Sequence, residues 1–158
     1  MEKMAQEVLM SKLSEYRDLL NPLLMSQRLA VLSTYYDGQP YSNLVAFAAT
    51  SDLKRIIFTT SRNTRKYGNL RENKKVAMLI DSRKNETSDF DNAFALTAIG
   101  IAQETTRDEI NLLSKLYLAK HPYLAEFLNR SDSALVRVAV SDYILAGFNK
   151  SQRFHIAD

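Results

Sequence analysis

Two β-rich runs on either side of Asp37-Gly38-Gln39-Pro40 constrain the fold of this chain more than any other feature. Leu29–Tyr36 (LAVLSTYY) and Tyr41–Thr50 (YSNLVAFAAT) are rich in branched and aromatic residues, and Asp-Gly supplies the two positive-φ positions of a tight hairpin turn. An antiparallel pair therefore opens the sheet. The polar turn Ser51–Lys54 leads to a third β-rich run, Arg55–Thr60 (RIIFTT), and Val76–Asp81 (VAMLID) and Ala93–Ala102 (AFALTAIGIA) read as further strands. Gly100 marks a bulge or a close approach in the latter. Ala134–Val140 (ALVRVAV) and Tyr143–Phe148 (YILAGF) end the series, with a break expected at Ser141-Asp142.

Helical signals sit between the strands. Val8, Leu9, Leu13, Tyr16 and Leu20 recur at helical spacing until Asn21-Pro22, which predicts a stop. Residues 61–73 (SRNTRKYGNLREN) lack alternation, offer Ser61 and Asn63 as N-caps, and predict a short helix that Asn73 closes in left-handed geometry. Thr106 with Glu109 forms a capping box ahead of Ile110, Leu113, Leu116 and Tyr117, so a helix runs to about His121. Pro122 then suits the first turn of a short helix holding Leu124, Phe127 and Leu128. Residues 82–92 are polar without periodicity and read as a loop, mobile or ordered by a partner. About six antiparallel strands with flanking helices predict a mainly β fold, a closed or split barrel.

With 158 residues, 46% of them hydrophobic, the chain is expected to form one domain over 1–158 with a core of its own. The absence of cysteine excludes disulfide frameworks, thiolate metal sites and cysteine nucleophiles, and fits a reducing cytoplasm. Charges run through the first twenty residues, so neither a signal peptide nor a membrane span is expected. A net charge of +3 would suit a polyanion, but the basic residues are mixed with acidic ones rather than clustered along a strand face. A base-stacking nucleic-acid barrel is therefore not favoured. Only His121 and His155 offer imidazole, which makes triad and metal chemistry poor fits, and no metal is assigned. His121 at a helix end is expected to cap the last carbonyls, and His155 in the tail to be disordered or packed at an edge.

The chemically informative stretch is Phe58–Lys66 (FTTSRNTRK), in which a strand delivers two threonines into the start of a helix bearing a hydroxyl and two adjacent cations. A helix N-terminus exposes unpaired N–H groups, Thr64 adds a hydroxyl, Arg65 a two-pronged donor and Lys66 a point charge, a set that suits a phosphate monoester. A solvated basic turn is the alternative reading of the same residues.

From about Leu29 to Phe148 the chain resembles the pyridoxamine 5'-phosphate oxidase-like FMN-binding split-barrel family. The matching stretches are LAVLSTYYDGQPYSNLVAFA, IIFTTSRNTRKYGNLRENKKVAMLID and TAIGIAQE. The resemblance implies that Thr64, Arg65 and Lys66 bind the FMN phosphate, that Thr59 and Thr60 contact the ribityl chain and phosphate, and that Ser42, Asn43, Leu44 and Val45 run alongside the isoalloxazine with their backbone groups. It further implies an oxidoreductase acting on a small molecule, and a homodimer with flavin at the interface. Loop 82–92 and the last helices would line the substrate side. No side chain is nominated as catalytic acid or base. Two departures stand out: Asn43 and Ala48 occupy positions where pyridoxamine phosphate oxidases carry Arg and Lys, and Arg153-Phe154-His155 fits the family's substrate motif only three residues before the sequence ends. Vitamin B6 oxidation is thus not the first choice. A haem-utilisation branch of the same fold is the alternative, resembled by YLAKHP at Tyr117–Pro122 and LAGF at Leu145–Phe148.

Overall fold

A computed structural model describes residues 2–156, with side chains from Ser14 onward. Helix α1 (Glu2–Ser26) leads into the hairpin β1 (Leu29–Tyr36) and β2 (Gln39–Ala49), followed by β3 (Arg55–Ser61), α2 (Arg65–Glu72), β4 (Lys75–Asp81), α3 (Asp89–Asn92) and β5 (Phe94–Glu104). Helix α4 (Arg107–Lys120), a single 3₁₀ turn (Pro122–Leu124) and α5 (Ala125–Leu128) precede the long strand β6 (Ser133–Gly147) and the short β7 (Ser151–His155).

The strands pair antiparallel in the order β3-β2-β1-β4-β5-β6-β7, and β3 also pairs β6, which closes the first six into a barrel. One edge of β6 serves two partners: residues 133–139 pair β3 and residues 142–146 pair β7. Closure pairs β3 along its length with β6 and leaves open edge at the N-terminal part of β2 and along β7 among the described residues. The β1–β2 turn forms at Asp37 and Gly38, with φ of 50° and 74°, as the Asp-Gly pair predicts.

Alternation sends Leu32, Phe47, Phe58, Met78, Ile80, Leu96 and Val138 into the barrel, all fully buried. A second cluster lies on the opposite face of β2, β3 and β6, where Ala48, Ile57 and Leu135 pack under Leu113 and Tyr117 of α4.

Several expectations are corrected. Pro22 does not stop α1, which continues to Ser26 because Leu20, Leu23 and Leu24 are buried against the barrel and hold the last turns in place. The side chains of Val8, Leu9 and Leu13 lie outside the described residues. The cap of α2 is Thr64, not Ser61 or Asn63, and Asn73 ends it with φ −138° rather than in the left-handed region. Strand β6 runs unbroken through Ser141-Asp142. The register passes from Gly100↔Val140 to Ile99↔Asp142, so Ser141 is absorbed as a bulge opposite Gly100. Gly100 is a close approach as well, since a Cβ there would stand 2.2 Å from the Ala139 carbonyl oxygen. Loop 82–92 is ordered by its own residues: the Asp89 carboxylate accepts from the N–H groups of Lys84, Asn85 and Glu86 and starts α3.

Candidate functional site

The barrel wall opens between β2 and β3. Their ladder holds only the pairs Phe47↔Phe58, Ala48↔Ile57 and Ala49↔Ile56, although β2 begins eight residues before the first of these, at Gln39, and β3 continues to Ser61 along β6. From Gln39 to Ala46, β2 therefore has β1 on one side and, among the described residues, no strand on the other. Backbone polar groups along such an edge are available to a ligand.

Helix α2 begins at the mouth of this opening. Thr64 caps it: its Oγ1 accepts from the Tyr67 N–H and donates to the Ser61 carbonyl at 2.8 Å. The N–H groups of Arg65 and Lys66, the first two helical positions, have no intrahelical acceptor. Thr60 Oγ1 lies 3.1 Å from Thr64 Oγ1, so two hydroxyls and two free N–H groups converge at one helix end. The Arg65 guanidinium is exposed and lies over the Tyr41 ring, 4.7 Å from its centroid. Lys66 is half-buried, and burial holds its ammonium below the usual lysine range.

Thr59 is not part of this group. It lies on the face of β3 that carries Ile57, beside the Tyr117 hydroxyl under α4, whereas Thr60 shares the face of Ile56 and Phe58. Only the backbone of Thr59 is common to both sides. Along β2 the same alternation separates Ser42 and Leu44, which face outward, from Asn43 and Val45, which face inward. Ser42 Oγ pairs with Ser33 Oγ, and Leu44 is 61% exposed. Both polar atoms of the Asn43 amide are shielded from solvent without a hydrogen-bond partner in the chain. Leu44 also lines a cavity of about 260 Å³ on the outer sheet face with Leu29, Val31, Leu79 and Arg83.

Sequence reasoning missed the residues that fix this geometry. Arg62 donates to the Ser131 and Ser133 carbonyls and pairs with Glu104, which also accepts from the Tyr67 hydroxyl at 2.7 Å. Asp132 accepts from Ser61 Oγ, and its carbonyl accepts from the Arg62 N–H. These bonds span 37 to 71 residues of chain, and no local pattern announces them.

The histidines are engaged elsewhere. His121 is buried, with Nε2 2.8 Å from the Phe47 carbonyl oxygen, so it ties α4 to β2 rather than capping its own helix. Burial lowers its pKa. His155 lies exposed on the edge strand β7, with Nδ1 3.3 Å from Asp142 Oδ1.

A closed six-stranded barrel, parted along one seam and with a capped helix start at the parting, defines a split-barrel protein. The chain belongs to the pyridoxamine 5'-phosphate oxidase family, whose sequence profile matches residues 14–144. Comparison with curated proteins finds no match. Among solved structures it is similar to a haem-binding protein from Mycobacterium smegmatis (TM-score 0.76, 16% identity, 84% of this chain and 55% of that one). It is also similar to a protein from Clostridium acetobutylicum related to general stress protein 26 of B. subtilis, of the pyridoxinephosphate oxidase family (0.68, 15%, 90% and 95%). A third is an FAD-binding protein from Mesorhizobium loti (0.63, 14%, 79% of this chain). The chain thus spans little more than half the length of the M. smegmatis protein. Among the described residues no helix is long and apolar enough to cross a membrane.

Proposed function

We propose that this protein binds FMN at the β2–β3 opening and serves as an oxidoreductase for a small organic molecule. One observation carries the reading: the opening gathers the Thr60 and Thr64 hydroxyls, two free N–H groups and the Arg65 and Lys66 cations beside an unpaired strand edge. A phosphate monoester dianion matches that set in charge, with the two free N–H groups and the Arg65 and Lys66 side chains as its donors. The unpartnered Asn43 amide is a further sign that β2 awaits a polar ligand. FMN, when bound, supplies hydride and electron transfer. The chain's own part is to anchor the phosphate through Arg65, Lys66 and the two threonines, and to offer the backbone of Ser42, Asn43, Leu44 and Val45 to the ring. The apolar patch around Leu44 and Val31 excludes water from the ring. The FAD-binding neighbour supports a flavin on this fold.

The exposed side chains Leu29, Tyr35 and Leu44 on the outer face of β1 and β2 suit a second copy of the chain, and a homodimer covering that face would complete each site. The cysteine-free composition supports a cytoplasmic location.

The M. smegmatis neighbour motivates a second reading, haem binding. It would need an axial ligand, and of the two imidazoles His121 is already committed to Phe47, which leaves His155 on β7. Titration with FMN and, separately, with haemin decides between the two. Saturable flavin uptake lost in Arg65→Ala is expected. A haem band that depends on His155, with no flavin uptake, would overturn the FMN reading.

A further inference from the structure

A cleft of about 430 Å³ lies between the C-terminal half of α2 and the ends of β5 and β6. It is separate from the opening between β2 and β3, because none of Thr60, Thr64, Arg65 or Lys66 lines it. Its floor is apolar and buried: Leu70, Ala102 and Val136 contribute. Arg71 and Lys74 stand at its rim, both exposed, and among the described residues no carboxylate lies within ion-pair distance of either.

The other charges around the cleft are already compensated. Glu104 is taken by Arg62 and by the Tyr67 hydroxyl, and Arg137 by Glu109 and Gln103. The cleft therefore joins an apolar floor to two uncompensated positive charges, a combination that recognises an anion with an apolar body.

We propose that this cleft is a second binding site of the protein, for a small organic carboxylate or phosphate whose apolar part rests on Leu70, Ala102 and Val136 while Arg71 and Lys74 hold its charge. Volume favours a compact body of one or two rings over a cofactor the size of a dinucleotide. The charge contribution is that of exposed groups, so salt weakens it.

Titration of the full chain with naphthoate, followed by amide-resolved NMR, tests the assignment. Saturable shifts at Leu70, Arg71, Lys74 and Gln103 are expected, with the Arg71→Glu, Lys74→Glu double variant binding roughly tenfold or more weakly and neutral naphthamide likewise. Arg71 is exposed in the last turn of α2 and Lys74 is exposed in the connection to β4, so the fold is retained. Arg65→Ala should bind naphthoate as the parent does, and the double variant should take up FMN as the parent does. Shifts that fail to saturate, that gather at Thr60–Lys66, or that survive the charge reversal unchanged would overturn the proposal. Loss of FMN uptake in the double variant would do so too, by merging the two sites. Naphthoate binding in a protein that takes up no FMN at all would sink the flavin reading and leave this one standing.

Discussion

The guanidinium of Arg65 rests on the face of Tyr41, 4.7 Å from the ring centroid, and so joins the first turn of α2 to the strand whose edge lies open. The contact holds a long side chain in place at the opening, and if the proposed phosphate binds there it lowers the ordering cost of gripping it.

Removing that side chain should therefore cost more than removing its support. Arg65→Ala is expected to weaken FMN binding by about ten- to a hundredfold, the loss of a charge-assisted contact. Tyr41→Leu, which removes only the platform, should weaken it about two- to fivefold. Fluorescence titration of FMN measures both, and unchanged affinity in Arg65→Ala would refute the phosphate assignment.

Lys66 gives the site a pH signature. Burial makes its ammonium easier to deprotonate in the free protein, and a bound dianion restores the charge, so binding takes up a proton once the pH exceeds the lowered pKa. FMN affinity should fall with rising pH, beginning below the ordinary lysine value of about 10.4. Lys66→Arg, which stays charged, should flatten the alkaline limb. A profile identical in the two proteins would mean that Lys66 does not face the ligand.

Asn43 separates stability from binding. Its buried amide is unpartnered in the chain, so Asn43→Leu should leave the ligand-free protein as stable or raise its stability by about 1 kcal/mol. The same change should weaken FMN binding. Denaturation of the ligand-free variant beside an FMN titration checks both; a destabilised variant with unchanged flavin uptake would show that the amide serves the fold alone.

Gly100→Ala tests the bulge. The added methyl would meet the Ala139 carbonyl at 2.2 Å and Val138 Cγ1 at 2.9 Å. Backbone cannot yield as a side-chain tip can, and a loss of about 2–3 kcal/mol in chemical denaturation is expected. A wild-type midpoint would mean that β5 and β6 can slide apart at little cost.

His121 couples stability to mild acid. Its folded pKa is depressed, by burial first, so below the ordinary value of about 6.5 the unfolded chain binds a proton that the native state refuses. Stability should decline as pH falls through that value toward the lowered one. His121→Leu should remove this dependence, while costing about 1–3 kcal/mol at neutral pH because the buried Phe47 carbonyl loses its partner. Parallel pH–stability curves would assign the decline to other groups.

The strands and the hairpin were legible because alternation and the Asp37-Gly38 pair act within a few residues. The same holds for the start of α4, where Glu109 accepts from Thr106 as the spacing predicts. Legibility failed wherever distant burial outweighed a local rule. Pro22 reads as a stop, but three buried leucines carry α1 past it. Ser141-Asp142 reads as a break, but Gly100 across the ladder makes room for a bulge. In the candidate site, Thr60, Thr64, Arg65 and Lys66 were visible as neighbours in sequence. Thr59 is their neighbour in sequence too, but strand alternation turns its side chain to the α4 layer.

The amino-acid sequence by itself determined the six barrel strands in outline though not the edge strand β7, where the first turn falls, and that hydroxyls and two cations cluster at a helix start, because each depends on φ/ψ preferences and side-chain spacing within one element. Only the tertiary structure decided that β3 closes onto β6 and leaves β2 after three pairs, that Arg65 meets Tyr41, and that His121 is tied to Phe47. Those contacts join segments far apart in the chain, and they exist because the barrel buries most apolar surface in one register, a quantity that no short window of residues contains.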